Sequence, residues 1–150
     1  MPGNIMQGDF FDTLHIVEDH LHSKSFCLPS FGAPVSLTTT ASAAWGYSAT
    51  AAVEIVASVD APSAPFDIHW AVVTDISANG YYELEILQGP AGSETFIARV
   101  PFFKTAGAPG ETTVPCISPR MAKNTRISCK LYGSNAAANT CKVKLGTHQY

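Results

Sequence analysis

The sequence predicts an all-β protein: an antiparallel β-sandwich, jelly-roll-like, with eight or nine strands, preceded by an N-terminal arm or short helix. Three observations predict it. First, Pro65 to Phe103 alternates bulky and small or polar residues with a period of two, the period of a half-buried strand. Second, turn residues punctuate this run about every ten positions, as in sandwiches. Third, the composition from Val35 onward shifts to Ser, Thr and Ala with β-branched residues, the last of which favour pleated structure.

The elements follow in chain order. Residues 1–30 form an N-terminal arm or interaction segment, and residues 31–150 the β-sandwich domain. In the segment, Phe10, Leu14, Val17 and Leu21 recur at spacings of three and four, which would align them on one helical face. Asp9 or Asp12 would cap such a helix. An extended arm anchored by Phe11, Ile16 and Phe26 is the alternative. Val35 and Leu37 mark a short strand, Trp45 and Tyr47 another short element, and Val53, Ile55, Ala57 and Val59 a third. Pro62 and Pro65 confine the next stretch to a loop, because proline cannot donate to a central ladder.

In the central run, Phe66, Ile68, Trp70 and Val72 alternate with Asp67, His69, Ala71 and Val73. Ser77-Ala78-Asn79-Gly80 then reads as an Asn-Gly turn, which requires positive φ. Tyr82, Leu84 and Ile86 alternate with Glu83 and Glu85. After Gly89-Pro90-Ala91-Gly92, the residues Phe96, Ala98, Val100 and Phe102 are expected on one face, with Arg99 and Pro101 on the other. Pro115 marks Thr112–Ile117 as an edge strand. Ile127, Cys129 and Leu131 share one face of a later strand. Cys141, Val143 and Leu145 do so in the last, with the residues between read as a hairpin loop.

With 150 residues the chain is long enough for one domain with its own core. Charged residues make up only 14%, well below the roughly 25% of an average soluble domain. A surface so poor in charge suits a subunit that buries part of it against a neighbour. The net charge of −3 argues against nucleic acid as a partner, which demands a basic stripe. No apolar run long enough to span a bilayer occurs, and MPGNIMQGDFF lacks the basic and apolar regions of a signal peptide. Synthesis in the cytoplasm, with reduced thiols and no membrane partner, is therefore expected.

Three segments together resemble a known group: FDIHW; then ANGYYELEILQGPAGSETFIARVPF; then SPRMAKNTRISCKLYGSNAAANTCKVKL with terminal Tyr150. They are similar to a β-sandwich module of tailed-bacteriophage virion proteins, over roughly residues 45–150. The shared residues are packing and turn residues, so the resemblance implies a place of work and no chemistry. The cysteines at 116, 129 and 141 depart from the pattern. The resemblance implies a virion location on the capsid surface and a major capsid or other virion protein as partner. It also implies homo-oligomerisation as a trimer, because decoration proteins often occupy threefold positions.

Candidate chemistry is sparse. The four cysteines show no CxxC pair or zinc spacing. Cys129 and Cys141 are expected inward on adjacent strands, as core thiols or a cross-strand disulfide. Glu18, Asp19, His20 and His22 offer metal-ligand types without an identifiable third ligand, and a solvated patch is the plainer reading. His69 is expected at the surface or an interface, and Glu83 and Glu85 in solvent. No nucleophile–base motif or phosphate-binding glycine loop is present, so no catalytic residue, cofactor or metal is assigned. The expected function is a non-enzymatic virion subunit, a capsid decoration (cement) protein. Phe10, Phe11, Leu14, Ile16 and Val17 are its candidate interface, being too many apolar residues for a solvated tail. The alternative is a carbohydrate- or receptor-binding jelly-roll module of a tail or head fibre, with Trp45, Tyr47, Trp70, Tyr81 and Tyr82 stacking on sugars.

Overall fold

A computed structural model describes residues 25–29, 32–41, 43–47, 50–107 and 110–150, and among these nine strands form two antiparallel sheets. They are β1 (Ser25–Leu28), β2 (Val35–Thr38), β3 (Val53–Val56), β4 (Phe66–Thr74) and β5 (Gly80–Gln88). The others are β6 (Thr95–Lys104), β7 (Thr112–Pro115), β8 (Ile127–Gly133) and β9 (Thr140–Gln149). One sheet has the order β1–β9–β4–β7 with β2 also on β9, and the other β3–β8–β5–β6. β1 pairs with β9 along Leu145–His148 and β2 along Thr140–Val143. They act as one strand interrupted near Pro29 and Pro34, and among the described residues the sheet begins at Ser25, inside the span assigned to the arm. The pairs β2–β9, β3–β8, β4–β7 and β5–β6 nest one within the next. That is one long hairpin rolled across two sheets, the jelly-roll wrap.

The core lies between the sheets. Leu28, Leu37, Phe66, Ile68, Ala71, Val73, Val143 and Leu145 come from the first; Tyr82, Leu84, Ile86, Val100, Ile127 and Leu131 come from the second. Each set follows the period of its strand except where a bulge intervenes. At β4 the pairing to β9 slips between Ile68 and Trp70, so Trp70 and Val72 face outward and Ala71 and Val73 are buried, contrary to the simple alternation. On the other side of β4 the ladder to β7 runs on past Pro115, which stands opposite Trp70: the Cys116 amide donates to the His69 carbonyl at 3.0 Å. Ser118 extends it. The Ile68 amide donates to Ser118 Oγ at 2.8 Å, and the Ser118 amide to the Ile68 carbonyl at 3.0 Å. A bulge inserts one extra residue into a strand and re-aims its neighbours; here His69 is the residue inserted between the Ile68–Thr147 and Trp70–Gly146 pairs. The slip in β5–β6 pairing between Ile86 and Leu87 likewise turns Phe96 outward, 59% exposed.

Two connections also differ from expectation. β4 and β5 lie in different sheets, so residues 75–79 bridge the sandwich rather than close a hairpin. The positive φ falls on Asp75, at 50°. Asn79 serves otherwise, its Oδ1 accepting the Ala106 amide at 2.6 Å. β8 and β9 are likewise in different sheets, so the segment between them is a crossover and not a hairpin loop. Trp45 and Tyr47 sit in a turn, and β3 stops at Val56, leaving Val59 exposed. The Gly89–Gly92 turn is a true hairpin between β5 and β6, with φ of 106° at Gly89 and 81° at Gly92.

Candidate functional site

Two polar clusters occupy the outer faces of the sandwich. On the β4–β9 sheet, Asp67 and His148 are directly opposed partners, and His69 joins them from the bulge. His69 Nε2 stands 2.9 Å from Asp67 Oδ1, and His148 Nδ1 3.9 Å from the same oxygen. Asp67 and His148 are buried, while His69 keeps 29% of its side chain exposed. The other carboxylate oxygen, Oδ2, accepts the Tyr150 hydroxyl. Arg120 covers the Tyr150 ring at 4.1 Å. Donation to Asp67, aided by burial, holds the Tyr150 hydroxyl above the ordinary tyrosine range. Next to this cluster Trp70 lies flat over Gly146, its partner on β9. Only a residue without Cβ leaves room for the indole there.

On the β5–β8 sheet, Arg99 bridges Glu83 at 2.8 Å and Glu85 at 2.5 Å. Glu85 also accepts the Tyr132 hydroxyl at 3.0 Å. The Tyr47 ring covers Tyr132 at 4.4 Å and carries the Arg99 guanidinium at 4.9 Å. Glu85 is therefore buried, not solvent-facing as its place on the strand implied. Burial and the Glu85 charge push the Tyr132 hydroxyl well up, and the Glu85 hydrogen bond does the same to Arg99. Carboxylates pinned by a guanidinium and a phenol brace four elements. Beside them Tyr81 and Phe103 pair across β5 and β6 at 4.9 Å, 64% and 53% exposed. Phe96, also exposed, lies toward the opposite end of β6, against the Arg99 guanidinium.

The cysteines are free thiols. Cys129 and Cys141 are buried in opposite sheets, which corrects their placement on adjacent strands and leaves them as core residues. Burial pushes Cys141 up to about 12, Cys116 to about 11 and Cys129 likewise upward, so these three are not activated nucleophiles.

Phe10, Phe11, Leu14, Ile16 and Val17 lie outside the described residues, as do Glu18, Asp19, His20 and His22. Of the expected sugar-stacking aromatics, Tyr82 is buried in the core and Trp70 is spent on Gly146. Trp45, Tyr47 and Tyr81 remain at the surface, with the first two rings stacked at 6.4 Å. The Asp67–His69–His148 cluster was not singled out from sequence. Its local signal is an aspartate and a histidine two apart on one strand. The third member depends on the β4–β9 register, which no local pattern encodes.

No family model matches the chain, and no curated protein matches it. Among solved structures it is similar to a chain of infectious bursal disease virus, Gx strain, at 12% identity and a TM-score of 0.43. That match covers 85% of this chain and 32% of the other, too slight a likeness to carry a functional argument. Among the described residues no helix is long and apolar enough to cross a membrane.

Proposed function

We propose that the protein is a non-enzymatic structural subunit of a virion, a capsid decoration protein that binds the assembled head through its major capsid protein. The observation that carries the proposal is the exposed aromatic pair Tyr81–Phe103 on the outer face of β5 and β6. β6 is a long edge strand, and an exposed hydrophobic edge is normally covered by another subunit. The low charge of the chain and the resemblance of its central and closing segments to phage virion modules support the same reading. So does the jelly-roll wrap, a scaffold common to capsid and lectin domains. The subunit is made in the host cytoplasm and acts on the capsid surface as a homotrimer. Closed symmetry covers apolar area without forming fibres.

Co-sedimentation with assembled shells that lack the protein tests this. The wild-type chain is expected to pellet with shells, and Y81S/F103S to bind at least tenfold more weakly with an unchanged melting temperature. A wild-type chain that stays in the supernatant contradicts the proposal. The stacked Trp45 and Tyr47 beside Glu83 favour a second reading, recognition of a glycan receptor. Selective binding on a glycan array, lost in Y47A, would replace the first reading with the second.

A further inference from the structure

We infer that Asp67, His69 and His148 form a site for one divalent transition-metal ion of the zinc class on the outer face of the β4–β9 sheet. One carboxylate oxygen and two imidazole nitrogens lie within 4.8 Å of one another. Zinc binds such donors at about 2.0–2.2 Å, which sets neighbouring ligand atoms about 3.4 Å apart in a tetrahedron. The observed 2.9 and 3.9 Å separations from Asp67 Oδ1 bracket that value. The two imidazoles need draw together by no more than about 1.4 Å, which small rotations about χ2 supply.

A second observation points to a cation. Asp67 Oδ1 is buried and accepts no hydrogen bond of ordinary geometry among the described residues, although two imidazole nitrogens face it. Buried polar atoms are rarely left so, and an ion between the three groups satisfies it. The surroundings also resemble those of a metal site. Tyr150 donates to Oδ2 and so turns Oδ1 toward the imidazoles, the role outer partners play for ligating carboxylates. His69 is partly exposed, which gives the ion an entry and leaves a fourth position to water. The three ligands come from β4 and β9, so the ion would staple the two central strands of that sheet together.

Metal-stripped full-length protein titrated with Zn²⁺ in a calorimeter tests the inference. One equivalent should bind per chain and raise the melting temperature by several degrees at about a hundredfold excess over Kd. Co²⁺ in its place should give the visible spectrum of an ion held by nitrogen and oxygen. H69Q alters a partly exposed residue and should fold normally, yet lose at least about a hundredfold in affinity, as should D67N. Y150F should lose about tenfold. H20Q/H22Q should bind as the wild type does. Absence of stoichiometric binding, or binding retained in H69Q and lost in H20Q/H22Q, would overturn the assignment.

Discussion

Replacing Gly146 by alanine tests the bulged register on which the outer face of the β4–β9 sheet depends. A Cβ at this position would lie 1.8 Å from Trp70 Cε2, 1.9 Å from Nε1 and 2.4 Å from Cδ2. Contacts between carbons are favourable only near 3.5–4.0 Å, so the indole must retreat by roughly 1.5–2 Å. A tryptophan is too rigid to yield by bending at its tip, and the whole ring would lift from β9. Overpacking of this kind costs about 1–3 kcal/mol. Gly146 is not among the positive-φ glycines, so alanine itself returns about 0.4–1 kcal/mol through the unfolded chain. The net loss is about 1–2 kcal/mol, or roughly 2–8 °C in Tm for a domain of this size. Urea unfolding followed by far-ultraviolet circular dichroism reads it in wild type, G146A, W70A and W70A/G146A. With the indole gone the same glycine-to-alanine change should turn neutral or stabilising, a large coupling energy between adjacent residues. If G146A matches the wild type and shows no coupling to Trp70, the indole does not rest on Gly146 and the outward placement of Trp70 is wrong.

The remaining predictions concern the core thiols and the N-terminal segment. C129A and C141A should each lose about 1–2 kcal/mol from the voids they leave, keep shell binding, and show no sensitivity of Tm to reductant; loss of binding at unchanged Tm would contradict their placement in the core. Stability should fall as pH rises from 9 toward 12. The unfolded thiols, at 9.0, release protons that Cys116 and Cys141 retain up to about 11 and 12 in the fold; with both replaced by alanine the decline in urea midpoint should be shallower. Deleting Met1 to Lys24 removes no described strand, since β1 begins at Ser25. The truncated chain should keep its far-ultraviolet spectrum and lose shell attachment or the trimer; full-strength binding by light scattering and co-sedimentation would rule the segment out as the anchor.

The strands were legible because burial of one sheet face imposes a period of two, and Tyr82–Leu84–Ile86 obeys it without interruption. The pattern failed at His69 and Ile97, where an extra residue shifts the phase. That shift shows only in the pairing with partners distant in sequence, β9 for His69 and β5 for Ile97. The partition of β8 and β9 between sheets was equally hidden, because a crossover and a hairpin loop can share one composition. Glu85 looked solvated because its strand position is outward, yet Tyr47 and Arg99, brought by a turn and a neighbouring strand, close over it. Both polar clusters are products of register, and local spacing supplies only fragments of them.

Electron cryomicroscopy of shells assembled with and without the protein tests its proposed role most directly. The account predicts added density at regular, threefold-related positions on the shell exterior. Each unit should be fitted by the two-sheet sandwich, with the Tyr81–Phe103 pair covered. Shells identical with and without the protein, or density confined to a receptor-facing fibre tip, would contradict it.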